Sequence, residues 1–267
     1  KHADHLNKND ELYQYLKEKD LFKGKLSEVY FDFSLEKKSS LFLGLGNINE
    51  INTNSLRKAF HQAGKELMKY RVESVELIVP KFEGISYKDA VSAIVEGFLQ
   101  SEYSFERYLS KKKMKPCLKE VYLDVSDAKE EEALSAIKET EILMDAIFFT
   151  RDLVNERAIN MYPKILAETA KESLMDLGIK VEILGKNEIE QLNMKSFLAV
   201  AEGSDKEPQF IIMTYEGNKN SKEKIALVGK GLTYDSGGYS IKPTNSMDTM
   251  FTDMAGSATV IGAMKAI

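Results

Sequence analysis

Alternation and helical spacing divide the chain into a regular succession of strands and helices. Val29, Phe31 and Phe33 occupy every second position, the period of a strand with one buried face. Ser40 to Leu45 is a short apolar strand that ends at Gly44 and Gly46, a plain turn. From Thr53, the residues Leu56, Ala59, Phe60, Ala63, Leu67 and Met68 fall on one helical face. Val75 to Val79 predicts a strand stopped by Pro80, and Val91, Ile94, Val95, Phe98 and Leu99 mark a second amphipathic helix. Lys111 to Lys115 is a basic run that reads as a solvated loop, followed by a strand at Val121 to Val125.

The pattern then lengthens. Asp127, with Glu130 three positions on, has the form of a helix start. The helix behind it runs to about Glu156, and its stripe of Ala133, Ile137, Met144, Ile147 and Val154 reads as core packing. A domain boundary is expected within this helix, near Asp145, giving domains at residues 1–145 and 146–267. Pro163 suits the first turn of a further helix that Gly178 closes. Ile179 to Leu184, Phe197 to Ala201, Phe210 to Tyr215 and Ile225 to Val228 predict strands. After Asp253 a last helix carries Val260, Ile261 and Met264 on one side and stops at Ile267 without a glycine or other cap. The rhythm throughout is α/β.

Composition narrows the class. The chain has 267 residues, 43% hydrophobic and 30% charged, with a formal charge of −5. That length suffices for one large or two ordinary domains. No apolar run approaches the roughly 18 residues that cross a bilayer, and no signal peptide is visible. Mild acidity gives no electrostatic reason to expect nucleic acid as a partner. The single cysteine, Cys117, cannot form an internal disulfide and reads as an inert thiol. A cytoplasmic location is the expectation. His2 and His5 lie in a polar leader and His61 inside a helical repeat, none in a ligand pattern.

The chemistry concentrates in Leu227 to Gly256, LVGKGLTYDSGGYSIKPTNSMDTMFTDMAG. Its apolar start breaks into Gly229, Gly231, Gly237 and Gly238, interleaved with Lys230, Asp235, Lys242, Asp248 and Asp253. A phosphate-binding GxxxxGK followed by Ser or Thr is excluded, because Gly231 follows Lys230 and Lys224 stands where a glycine is needed. The dinucleotide pattern GxGxxG fails at Tyr234. Asp235 and Asp253 are hard oxygen donors suited to Zn²⁺, Mn²⁺ or Mg²⁺. An amine such as Lys230 joins them only after losing its proton, whereas Lys242 would stay cationic and polarise a carbonyl. Asp248 reads as a turn or helix-capping residue.

GKGLTYDSGG, then SIKP, then MDTMFTDMAG resembles the dinuclear-metal leucyl aminopeptidases, the M17 peptidase family. TRDLVNERAIN and SFLAVAEGSDKEPQFIIMTYEG also resemble it. Departures are Tyr234 where Phe is more usual, Ala255 where glycine is typical, and Arg157 where Pro commonly stands. The resemblance implies an N-terminal α/β domain of macro-like type, then an α/β metallo-aminopeptidase catalytic domain. It implies Lys230, Asp235 and Asp253 as ligands of two divalent metal ions, with Asp235 bridging. It implies Lys242 as the catalytic lysine that stabilises the oxyanion, and bicarbonate, held by an arginine downstream, as general base. Peptides with a free N-terminus are the implied substrates and a homo-hexamer the implied assembly.

Family members continue downstream into an NTDAEGR-type motif carrying an Asp–Glu metal pair and that arginine. No such motif occurs here, so the catalytic domain reads as truncated. The competing reading is a non-catalytic, degenerate or truncated member that serves as a binding or assembly subunit.

Overall fold

The computed structural model describes residues 11–33, 39–111, 118–126 and 129–267. His2, His5, Cys117 and the Asp127 cap lie outside them, as does most of the Lys111–Lys115 run. The chain divides into two compact units, Lys1–Met144 and Asp145–Ile267.

In the first unit, residues 11–18 form helix α1. Strands β1 (Val29–Asp32) and β2 (Ser40–Leu43) pair antiparallel, Val29 opposite Leu43. Helix α2 (Thr53–Lys69) begins with a reciprocal cap in which Asn52 accepts from the Ser55 N–H and Ser55 Oγ accepts from the Asn52 N–H. Strands β3 (Ser74–Ile78) and β4 (Glu120–Asp124) pair in parallel, with helix α3 (Tyr87–Glu102) between them in sequence. The long helix α4 (Glu130–Asn155) begins in this unit and ends in the next.

The predicted stripe on α2 is the buried face: Leu56, Ala59, Phe60, Ala63 and Leu67 all enter the core. They pack with Val91, Ile94 and Phe98 of α3, each fully buried aliphatic or aromatic side chain contributing about 1.5–3 kcal/mol. Two small residues let these helices approach closely. A Cβ on Gly64 would run into Ser101, and one on Gly97 would stand 2.7 Å from Phe60 Cβ. The Arg57 guanidinium of α2 pairs with the nearly buried Glu96 carboxylate of α3, so a charge removed from water keeps its counter-charge.

The second unit contains helix α5 (Pro163–Leu174), a 3₁₀ turn at Met175–Leu177 and Gly178 in the left-handed region, φ 72°. Strands β5 (Lys180–Leu184) and β6 (Phe210–Thr214) pair antiparallel. Short helices α6 (Lys186–Gln191) and α7 (Lys195–Ala201) lie between them in sequence, and α8 (Thr244–Met247) and α9 (Ala255–Ala266) follow. Leu166, Ala170 and Leu174 of α5 and Ala258, Ile261 and Met264 of α9 form the core with Leu153 of α4. Gly262 of α9 sits against Thr150, whose hydroxyl bonds the Ala146 carbonyl, and Lys265 pairs with Asp145.

Two expected strands are corrected. Phe197 to Ala201 is helical, because its Leu and Ala residues favour a helix and the Met194 carbonyl accepts from both Phe197 and Leu198 N–H. A short apolar run carries no period that separates helix from strand. Ile225 to Val228, expected as a buried strand, is neither paired nor buried: Ile225 is 92% and Val228 94% exposed. An apolar sequence becomes a strand only beside a partner, and among the described residues of this unit only β5 and β6 are paired. Helix α6 is an addition to the expected elements. Its signal is Glu188, which accepts from the Gly185 N–H three positions earlier, with Ile189 fully buried behind it.

Candidate metal centre

The site lies wholly within the second unit, in the largely irregular chain between β6 and α9. Its first ordering element is a backbone contact. The Ser257 N–H donates to the Lys230 carbonyl at 2.7 Å, tying the glycine loop to the first turn of α9. This approach depends on glycine at both positions. A Cβ on Gly229 would collide with the Gly256 carbonyl group, and one on Gly256 would stand 2.8 Å from the Lys230 backbone nitrogen. The consequence is that Lys230 and Asp253, far apart in sequence, come together: Nζ stands 2.7 Å from Oδ2. Gly229→Ala should therefore cost about 1–3 kcal/mol of stability by overpacking. A chemical denaturation curve checks this, and an unchanged midpoint would show that the two backbones separate freely.

The second ordering element is the turn from Asp235 to Lys242. Gly237 takes φ 90°, and a Cβ there would lie 2.5 Å from the Ser240 carbonyl oxygen. The turn closes through Lys242 N–H to the Ser236 carbonyl at 2.9 Å. Asp235 then accepts twice, from the Gly237 N–H on Oδ1 at 2.8 Å and from Lys242 Nζ on Oδ2 at 2.6 Å. The Lys242 ammonium, aided by the Gly237 N–H, holds the Asp235 carboxyl below its ordinary range. Lys242 Nζ also lies 3.4 Å from Met250 Sδ.

Asp248 is the residue after α8, its N–H bonded to the Thr244 carbonyl, and takes part in the turn rather than in the charged cluster. Tyr234 donates its hydroxyl to the Met247 carbonyl at 3.2 Å, a bond that phenylalanine at this position could not make.

The structure thus brings together Lys230 with Asp253 and Lys242 with Asp235. Asp235 also acts on Lys230: both carboxylates raise its amine above its ordinary value, Asp253 by direct contact and more strongly. Among the described residues no three His, Cys, Asp or Glu side chains form a cluster of metal-holding size. The donors available here are two carboxylates and an amine.

Those donors fit a divalent cation on one specific ground. Asp253 Oδ2 is buried and has no hydrogen-bond partner; Lys230 stands at ion-pair distance but not in hydrogen-bond alignment. A buried carboxylate oxygen needs a cation beside it: the Lys230 ammonium supplies that charge here, and a divalent ion would take its place. Lys230 could act as a donor only after releasing the proton that Asp253 now stabilises.

Residues 148–267 match the family model described as cytosol aminopeptidase family, catalytic domain, and residues 2–112 match the N-terminal domain of the same family. A probable cytosol aminopeptidase of Clostridium tetani is 55% identical over 267 residues, covering 100% of this chain and 56% of that protein. One from Treponema denticola is 49% identical over 253 residues, covering 95% of this chain and 53% of its own length. The chain therefore spans about half the length of these curated relatives. The solved structure "Bottromycin maturation enzyme BotP in complex with Mn" shares the fold. Its TM-score is 0.78 at 24% identity, covering 94% of this chain and 52% of that one. With both halves of the chain matching successive domains of one family, and with the loop of Lys230, Asp235, Lys242 and Asp253 inside the catalytic match, this chain belongs to the cytosol aminopeptidase family.

Proposed function

We propose that this chain is the N-terminal domain and the first part of the catalytic domain of a metal-dependent aminopeptidase that releases N-terminal, leucine-type residues from peptides. One observation carries the reading: two lysines and two aspartates converge in the glycine loop, with a buried Asp253 oxygen held against the Lys230 ammonium. Family membership supports a peptidase. BotP, which shares the fold, is in complex with Mn; that ion belongs to BotP, and it agrees with a divalent metal here.

In this reading Lys230, Asp235 and Asp253 hold the cations, Zn²⁺ or Mn²⁺, together with ligands from downstream chain. When bound, the ions acidify a water and polarise the scissile carbonyl. Asp235, which Lys242 holds below its ordinary range, is ionised at neutral pH and available as a ligand without a prior proton loss. Lys230 must shed a proton, so binding is coupled to proton release. Lys242 keeps its charge and donates to the carbonyl oxygen as it becomes an oxyanion, where a fixed donor is worth most. Peptides with a free N-terminus are the partners, a homo-hexamer the assembly and the cytoplasm the compartment; no nucleic acid or membrane takes part. Among the described residues no helix is long and apolar enough to cross a membrane.

The test uses the whole gene product. Leucine anilide should be hydrolysed and N-acetyl-leucine anilide should not. A chelator should abolish turnover, and Mn²⁺ or Zn²⁺ should restore it. Absence of turnover with every free-amine substrate and metal would favour the non-catalytic subunit, and turnover indifferent to chelation would exclude the metal.

A further inference from the structure

Asp253 sits at the end of a 3₁₀ turn, Met250–Thr252, closed by its own N–H to the Met250 carbonyl at 3.2 Å. On one side the next residue, Met254, is buried in the core with Met161 and Leu153. On the other side the turn presents the half-buried ring of Phe251. The Arg157 guanidinium carbon lies over that ring, 4.5 Å from its centroid, well within the roughly 6 Å range of a cation–π contact.

Arg157 is itself fixed at its backbone. Its carbonyl accepts from Asn160 and Met161 N–H at 2.8 and 2.9 Å, and its N–H donates to Glu156 Oε1 at 2.8 Å. Glu156 is 1% exposed, so this anchor does not drift with solvent. The Asp253 carboxylate is thus placed from two directions: Met254 fixes the following residue to the core, and Arg157 fixes the preceding turn through Phe251.

From this geometry we propose that Arg157 is a positioning residue for the metal ligand Asp253, acting through the Phe251 ring. The proposal rests on the metal-binding function proposed for the glycine loop. Arg157 acts on neither carboxylate directly; its contribution is to hold the turn that aims Oδ2. A contact of this kind, exposed on one side, is worth a few-fold in the equilibrium it biases. Partners that orient a metal ligand carry about 10–100-fold in affinity at most.

The experiment is Mn²⁺ titration of the whole gene product, read by the spectroscopic signal of free Mn²⁺, with thermal unfolding of each variant. Arg157→Gln should weaken Mn²⁺ binding about three- to tenfold. Arg157→Lys, which keeps a cation over the ring, should recover most of that loss. Phe251→Leu removes the aromatic face, so adding Arg157→Gln to it should cause no further loss. Arg157→Gln that lowers the melting temperature yet binds Mn²⁺ normally would reduce the contact to packing and overturn the proposal. So would equal, additive losses in the double variant. Asp253→Asn serves as the reference: if it leaves Mn²⁺ binding unchanged, the metal reading fails and this proposal with it. If it weakens or reduces Mn²⁺ binding while Arg157→Gln does nothing, the Arg157 role alone fails.

Discussion

Lys242→Ala should lower kcat for leucine anilide by about 10²–10³-fold, the scale for one lost oxyanion donor. The expected companion result is undiminished metal content, because Lys242 is a competitor for Asp235 rather than a ligand. Its Nζ lies 2.6 Å from Asp235 Oδ2, the oxygen a cation would otherwise use. Removing the ammonium frees that oxygen and lets the Asp235 carboxyl return toward its ordinary range, still ionised at neutral pH. Lys242→Met is the better-packed variant, since an unbranched apolar stem can stay beside Met250. Both substitutions should therefore give a folded, metal-loaded and nearly inactive protein. Steady-state turnover with metal analysis of the same sample decides it. Near-normal turnover would remove Lys242 from the reaction, and loss of metal along with turnover would make it part of the ligand shell.

The elements most legible in the sequence are those with long, repeated periods. The stripe from Leu56 to Leu67 is the buried face of α2, and β3 and β4 lie within a residue of their predicted positions. Short apolar runs are not legible, for a physical reason in each case. Phe197 to Ala201 is too brief to show a period, and helix propensity decides it. Ile225 to Val228 has the composition of a strand, but pairing is a property of two segments and cannot be read from one. The family resemblance marks Lys230, Asp235, Lys242 and Asp253 as one group. It gives no sign of which lysine meets which aspartate. That depends on Gly229 passing against Gly256, a backbone contact with no local signature. Glycines in a charged loop suggest room for a ligand; at Gly229 and Gly256 the room is taken by the chain itself. Arg157 stands out in the sequence only as an unusual residue where Pro commonly stands, with nothing to connect it to Phe251.

Asp235→Asn should remove activity and metal together. The substitution preserves shape almost fully: the amide oxygen can still accept the Gly237 N–H, which holds the turn. What it removes is the negative charge, and it places an NH₂ group opposite the Lys242 ammonium, donor against donor. Both side chains are about one quarter exposed, so solvent screening should keep the stability cost of losing the pair small. The effect on metal should be far larger. Disturbing a partner that merely orients a ligand costs about 10–100-fold in affinity, so removing the charge of a ligand itself should exceed about 10²-fold. Asp235 carries the greatest weight if it bridges two ions, since its loss then empties both. The ratio of bound metal to protein in Asp235→Asn and Asp253→Asn distinguishes the assignments. Asp235→Asn should lose both ions, whereas Asp253→Asn, whose ion partner is Lys230, should lose one. Two retained ions and full turnover in Asp235→Asn would show that the carboxylate serves only the Gly237 turn, and that the metal sits elsewhere.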